Sequence, residues 1–466
     1  MSLENTHLGP SAIGAIMAEC KSVYFIGIGG INMSSLAHLT HNMGYRTAGS
    51  DRAATDLTRR LEATGIGVFY SHDEKNAEGY DAFVYTVAIS PDNPEYLYAK
   101  AHGKPCISRA DYLGYIMTRY PRRVGVSGMH GKSTCTSMCA EILISAEADP
   151  TVLSGAELAS MGGAYRVGEG DDFVFEACEY MDSFLDFNPN IAVVLNIEMD
   201  HVDYFHSMEQ IRESFARYAS ITGKDGYAVY NADDEDVLSA LSGYEGNRLS
   251  FGIENEATLT AKNITETRGR YGFDILHGGK LLCHVQLMTT GYHNIYNALA
   301  AAGACLLCGI EPSDISRGLE RFCGACRRME YKGSVHGADV YDDYGHHPTE
   351  IAATLSGAKR LAENRLYCVY QPHTYSRTAA LLDGFAECFE SADRVIFVDI
   401  YAAREVNTFG VSSEGLAHRL GDKARYAESF EAAARMLTEE LGAGDVAVVM
   451  GAGDVYKTFG YIEFDE

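Results

Sequence analysis

Lys132 and Ser133 follow Gly128-Met129-His130-Gly131 and lead into Thr134, so a glycine-rich loop ends in a lysine and two hydroxyls. These residue types at this spacing suit a nucleotide triphosphate. Glycines let backbone N–H groups close around phosphate oxygens, the lysine carries full positive charge to the β/γ-phosphates, and the next hydroxyl is placed to ligate Mg²⁺. Ser127 falls between Gly125 and Gly128, so the loop is a shortened P-loop. Five further clusters carry chemistry. Glu176 and Glu179 follow the run Phe173-Val174-Phe175, and Glu198, Asp200 and His201 follow Ile191–Leu195. A carboxylate and an imidazole beside a nucleotide are sensible partners for a divalent metal. His293, Asn294 and Asn297 lie at helical spacing, where amides and an imidazole can bond a ligand. Asp342–Pro348 and Gln371–Arg377 gather imidazole and charged groups beside proline and glycine, a poor composition for a core and a good one for a binding loop.

Each cluster needs an element to carry it. A strand through Val124 and Val126 opens into the P-loop, and the chain then turns helical. In open α/β sheets ligands sit at the carboxyl ends of strands, so the residues after Phe175 and Leu195 should converge on that loop. Ahead of it, residues 22–50 read as a β-α-β unit, with Gly27-Ile28-Gly29-Gly30 after the first strand and Asp51 after the second. Asn32 stands where a dinucleotide fingerprint requires glycine, so the loop can face a diphosphate without specifying NAD. The helical segment 110–119 stops at a Pro121-Arg122-Arg123 linker. Residues 211–221 form an amphipathic helix, and 225–286, rich in Gly, Asn and Thr, read as antiparallel β or loop decoration. From about Gly324, strands at 366–370, 395–400 and 446–450 build a second β/α sheet.

With 466 residues the chain is expected to hold several domains. A net charge of -26 argues against a nucleic-acid or anionic-membrane surface, so phosphate must be met by local basic groups. No stretch is long and apolar enough for a membrane span, and the first twenty residues lack a secretory pattern; the expected compartment is the cytoplasm. The twelve cysteines mostly sit in apolar runs and read as reduced, buried thiols, while the Cys323–Cys326 pair lacks two more ligands for zinc.

The order FIGIGGINMS (25–34), GMHGKST (128–134), FEACE (175–179), NIEMDH (196–201), GYHNIYNAL (291–299), DDYGHHPTEI (342–351) and YQPHTYSRT (370–378) resembles the Mur ligase family over nearly the whole chain. The resemblance implies an α/β protein of three domains: an N-terminal UDP-binding Rossmann-like domain (1–120), a central P-loop ATPase domain with a mostly parallel sheet (121–322) and a C-terminal Rossmann-like domain (323–466). It also implies a reaction of peptidoglycan precursor synthesis. ATP phosphorylates the carboxylate of UDP-N-acetylmuramate, and the amine of L-alanine attacks the acyl phosphate.

By matching residue, the family's roles put Gly27, Ile28, Gly29, Gly30 and Asp51 against the UDP sugar. Gly128–Thr134, with His293, Asn294, Asn297 and Arg328, would hold ATP, with Asp343 and Tyr344 near the nucleoside. Ser133, Glu176 and His201 would hold Mg²⁺ or Mn²⁺, and Lys132 would steady the γ-phosphoryl group. His346, His373 and Arg377 would serve the amino acid and acyl centre. Four positions depart from the usual pattern: Cys178 and Tyr180 replace Asp and Ser, Thr374 replaces Arg, and Arg404 replaces Gly, while Ser133 for Thr keeps the hydroxyl. A monomer or weak homodimer is expected. The rival within the family is a recycling ligase that joins a preformed tripeptide to UDP-N-acetylmuramate. A nicotinamide-dependent dehydrogenase is disfavoured by Asn32 and the P-loop, and a non-catalytic descendant by the retention of Lys132, Glu176, His201 and Arg377.

Overall fold

The computed structural model describes residues 3–465 apart from 202, 203, 268 and 404. It contains three sheets in succession along the chain. The first is all parallel, in the order β3-β2-β1-β4-β5, from β1 (Ser22–Ile26), β2 (Arg46–Ser50), β3 (Gly67–Phe69), β4 (Ala82–Tyr85) and β5 (Cys106–Ser108). Every residue of β1 is buried, as a central strand covered on both faces requires. Its loop therefore opens between the ends of β2 and β4, at the point where strand order reverses.

The second sheet has ten strands: β6 (Arg122–Ser127), β7 (Thr151–Leu158), β8 (Gly163–Arg166), β9 (Asp172–Glu176), β10 (Ile191–Val194), β11 (Tyr227–Asn231), β12 (Asn247–Gly252), β13 (Leu259–Thr267), β14 (Arg270–His277) and β15 (Lys280–Thr290). Its order is β15-β14-β13-β12-β11-β10-β6-β9-β7-β8. The strand feeding the P-loop thus lies between β10 and β9, and this places the NIEMDH and FEACE segments on either side of Lys132. The reading of 225–286 as antiparallel decoration needs correction. β11 and β12 extend the parallel sheet, with Val229 and Phe251 buried in one apolar layer with helix His293–Leu307 and Ala228 in the layer on the other face, and only β13–β15 form an antiparallel meander.

The third sheet, β16 (Glu330–Val335), β17 (Ala338–Asp343), β18 (Leu366–Tyr370), β19 (Arg394–Phe397), β20 (Ala424–Tyr426) and β21 (Val446–Met450), runs β16-β17-β21-β18-β19-β20. It brings the ends of β17 and β18 to one rim, on either side of the Gly451 turn.

The two seams between domains differ in kind. One apolar cluster runs from Phe25 and Ile107 through Leu113 and Ile116 to Phe173 and Phe184 of the central domain. The C-terminal sheet keeps its own two apolar layers, and its contacts with the central domain include the polar pairs Arg360–Glu266, Thr349–Glu198 and Arg377–Asp200.

Candidate active site

Gly131 begins the helix Lys132–Ser145 at φ +83°, and a Cβ there would lie 2.6 Å from Asn297 Oδ1; glycine is required on both counts. The Met129 and His130 N–H groups donate to the Asn196 carbonyl and side-chain oxygens, at 3.3 and 2.8 Å, fixing the loop against the end of β10. Lys132 Nζ donates to the Met129 carbonyl at 3.0 Å and pairs with Glu179 at 3.1 Å. Burial works against the ammonium, yet Glu179 and its neighbours outweigh it and keep Lys132 charged. Ser133 Oγ donates to Glu176 Oε2 at 2.7 Å, which joins two of the three residues expected at the cation. Met129, by contrast, is buried and presents only backbone to the site.

Glu179, noted in the sequence beside Glu176 but given no role of its own, is the carboxylate that meets Lys132. Its carboxylate is 1% exposed and sits between Lys132 and His201, with Oε1 3.2 Å from Lys132 Nζ and 3.0 Å from His201 Nε2. Here the substituted Tyr180 packs its ring on His201, centroids 4.9 Å apart. Glu179 was visible in the FEACE run, but no rule of spacing says which of its two acids points inward.

A cavity of about 540 Å³ opens between the P-loop and the C-terminal domain, walled by His130, Thr134, His293, Asn294, Asn297 and Arg328 among others. Burial, aided by Arg328, lowers the His293 imidazole to about 4, so it is neutral. Asn294 Nδ2 donates to the Thr290 carbonyl, and Asn297 Nδ2 to Asn294 Oδ1, which orders the amides at the helix start. Asp343 is on the wall, but both its carboxylate oxygens are taken by the Gly345 and Met329 N–H groups. Tyr344 is off the wall and lies under the Arg327 and Arg328 guanidinium groups, at 5.0 and 5.3 Å. Tyr344, expected near the nucleoside, thus stacks with Arg328 and does not line this cavity.

A second cavity, of about 700 Å³, lies over the first sheet, with Gly27, Gly30 and Asp51 in its wall. Gly29 N–H donates to Asp51 Oδ2 at 2.8 Å, so the acid braces the loop from within. Ile28 does not belong to this surface: its side chain is in the core and its N–H bonds the Ser50 carbonyl. Arg109 does belong, and was missed because it opens a helix far from any glycine motif. Its guanidinium makes no hydrogen bond or ion pair among the described residues, which suits an anionic ligand.

His346, His373 and Arg377 come together at the rim of the third sheet. Arg377 Nη1 donates to His373 Nδ1 at 3.1 Å, and the two imidazole rings lie 5.8 Å apart. Burial lowers both imidazoles to about 4, leaving them neutral near pH 7. Thr374, at φ +62°, accepts from the Arg377 N–H and caps the short helix that carries it. Ser376 N–H donates to Glu405 at 2.9 Å, while Arg404 lies outside the described residues.

The expected metal residues do not form one compact set. Ser133 and Glu176 are paired, whereas His201 is turned to Glu179. Among the described residues the only trio of His, Cys, Asp or Glu ligand atoms within 4.8 Å of one another is His130, Glu198 and His347. His130 bridges Glu198 at 3.0 Å and Glu350 of the C-terminal domain at 3.3 Å. Burial disfavours its charge, but those two acids outweigh it and lift the imidazolium to about 9.

Three family models match the chain: "Mur ligase family, catalytic domain" over residues 22–121, "Mur ligase middle domain" over 126–305, and "Mur ligase, glutamate ligase domain" over 327–453. The UDP-N-acetylmuramate--L-alanine ligase of Caldicellulosiruptor saccharolyticus is 43% identical over 93% of this chain and 96% of its own. That of Acetivibrio thermocellus is 44% identical over 94% of each. The crystal structure of the UDP-N-acetylmuramate-alanine ligase of Thermotoga maritima superposes with a TM-score of 0.78 at 27% identity, covering 94% of this chain and 98% of that one. A murein peptide ligase of Psychrobacter arcticus shares the fold, with a TM-score of 0.69 at 23% identity over 96% and 100% of the two chains.

Proposed function

The chain belongs to the Mur ligase family, and we propose that it joins L-alanine to the carboxylate of UDP-N-acetylmuramate with cleavage of ATP to ADP and phosphate. The observation that carries this reading is similarity to UDP-N-acetylmuramate--L-alanine ligases over 93% and 94% of the chain; a cavity over the first sheet and another between the P-loop and the C-terminal domain support it.

A carboxylate is a poor electrophile, and phosphorylation gives it a leaving group. A carboxylate oxygen of UDP-N-acetylmuramate attacks the γ-phosphorus, and the bond to the ADP oxygen breaks. Lys132 steadies the charge on the moving phosphoryl group, exchanging its loop carbonyl and Glu179 for phosphate oxygens. The hydroxyl and carboxylate of Ser133 and Glu176 are hard oxygen donors that fit Mg²⁺ or Mn²⁺, and His201, here bonded to Glu179, is the nitrogen donor the family pattern would add. When bound, such a cation neutralises phosphate charge.

The amine of L-alanine then attacks the acyl carbon, and phosphate leaves. His346 Nδ1 lies 3.2 Å from the Tyr344 carbonyl, which can only accept, so the ring proton is on Nδ1 and Nε2 keeps a lone pair for the amine proton. Arg377 holds the amino-acid carboxylate. The reduced state of the cytoplasm suits twelve cysteines that are all unpaired.

The test is ADP release from UDP-N-acetylmuramate, ATP and Mg²⁺ with L-alanine in one arm and the preformed tripeptide in the other. Turnover with L-alanine is expected; turnover with tripeptide alone would make the chain a recycling ligase.

A further inference from the structure

His346 and His347 are neighbours with opposite tautomers. His346 carries its proton on Nδ1, whereas His347 uses Nδ1 as an acceptor. His347 is the N-cap of the helix Pro348–Lys359, its Nδ1 accepting from the Thr349 N–H at 3.4 Å while Glu350 completes the capping box. Nδ1 therefore has no proton, and the neutral ring must carry it on Nε2. Burial, with His130 adding to it, lowers the His347 imidazole, which agrees with a neutral ring.

Among the described residues this Nε2–H has no acceptor: His347 is 3% exposed, and Nε2 is a buried polar atom without a hydrogen-bond partner among them. The acids around it are spoken for: Glu198 by His130 and Thr349, Asp200 by Arg377, and Glu350 by the His346 N–H and the His130 ring. A ring nitrogen of His347 lies within 4.8 Å of atoms of His130 and Glu198, and its ring faces that of the P-loop His130 at 4.8 Å. A cation would need a lone pair on Nε2, and the helix cap already occupies the one lone pair the ring has. The atom is a donor awaiting an acceptor.

We propose that His347 is a further catalytic residue of this ligase, donating a hydrogen bond from Nε2 to a non-bridging oxygen of the phosphoryl group as it passes from ATP to the substrate carboxylate. The inference rests on the proposed ligase reaction. No proton is transferred: the Pγ–O bond to ADP breaks, the Pγ–O bond to the carboxylate forms, and the donor meets charge on an equatorial oxygen.

His347→Asn separates the cap from the donor, because asparagine caps a helix well but its short amide does not reach where Nε2 stands. The expected result is a melting temperature and an ATP-analogue affinity like those of the parent, an unchanged KM for L-alanine, and a fall of about a hundredfold in kcat. Acyl phosphate trapped as the hydroxamate should fall in step. His347→Ala should lose thermal stability as well. Wild-type turnover in His347→Asn would overturn the proposal. So would equal loss of stability and turnover in both variants, or recovery of His347→Asn by raised Mn²⁺, which would mark a cation ligand. Failure of the ligase reading is distinguishable, since the parent protein would then release no ADP with UDP-N-acetylmuramate and L-alanine.

Discussion

Arg377 and Asp200 belong to different domains and are joined by two hydrogen bonds to one carboxylate oxygen, from Nε at 3.3 Å and Nη2 at 3.1 Å. Both side chains are largely buried, at 12% and 6% exposure. Burial alone would raise the Asp200 carboxyl, but Arg377 and His201 hold it well below the usual carboxylate range. The arginine assigned to the incoming amino acid is thus also a fastener between the C-terminal domain and the end of β10.

Asp200→Asn leaves a buried guanidinium without its counter-charge and should destabilise the seam by about 3 kcal/mol. Arg377→Lys keeps the charge but loses the fork, and should raise the KM for L-alanine about tenfold with little change in the KM for ATP. Steady-state kinetics with each substrate varied in turn checks this. A parallel rise in both constants would contradict it.

Lys132→Ala should lower kcat by about a thousandfold, since it removes the ammonium assigned to the γ-phosphoryl group. Its circular dichroism should match the parent, because the helix Lys132–Ser145 is held by its own buried face. Intact turnover would sink the role given to this lysine.

Gly131→Ala meets Asn297 Oδ1 and demands a left-handed alanine. A cost of about 1–3 kcal/mol is expected, with loss of ATP binding measured by calorimetry. Asn297→Gly should relieve the clash but not the backbone penalty, so only partial recovery is expected in the double variant.

His130 predicts a pH dependence. Its folded value of about 9 lies above the ordinary 6.5, so the folded state binds the extra proton between them. Stability from this group is present in full below pH 6.5 and is lost as pH rises through 9. Thermal midpoints of the ligand-free protein should fall over that window. His130→Gln should flatten the fall, and an unchanged slope would remove His130 as its source.

The parts legible in sequence were those built from adjacent residues. A buried strand, a glycine turn and a helix are consecutive in the chain, so the loops at Gly27 and Gly128 could be read directly, as could the acids after β9 and β10. What could not be read was direction. Ile28 sits in a glycine loop yet faces the core, because the chain turns at Gly27, φ +85°, and ties the Ile28 N–H to the Ser50 carbonyl of β2. Glu179 rather than Glu176 meets Lys132, a choice made by how the chain turns after β9. Tyr344, expected near the nucleoside, has its ring under Arg328, and the cap that fixes the His347 tautomer needs the next helix to be present. The Arg377–Asp200 pair spans 177 residues, a separation no local pattern encodes.

The contrast between the two seams has a calorimetric consequence. An apolar layer shared by the N-terminal and central sheets couples their heat capacities, so the two should melt as one cooperative unit. The C-terminal domain, attached by hydrogen bonds and ion pairs around enclosed apolar layers of its own, should form a second unit whose coupling to the first weakens with added salt. The catalytic cleft then lies on the boundary between two foldons, where occupancy by nucleotide would be read as a merging of two transitions into one.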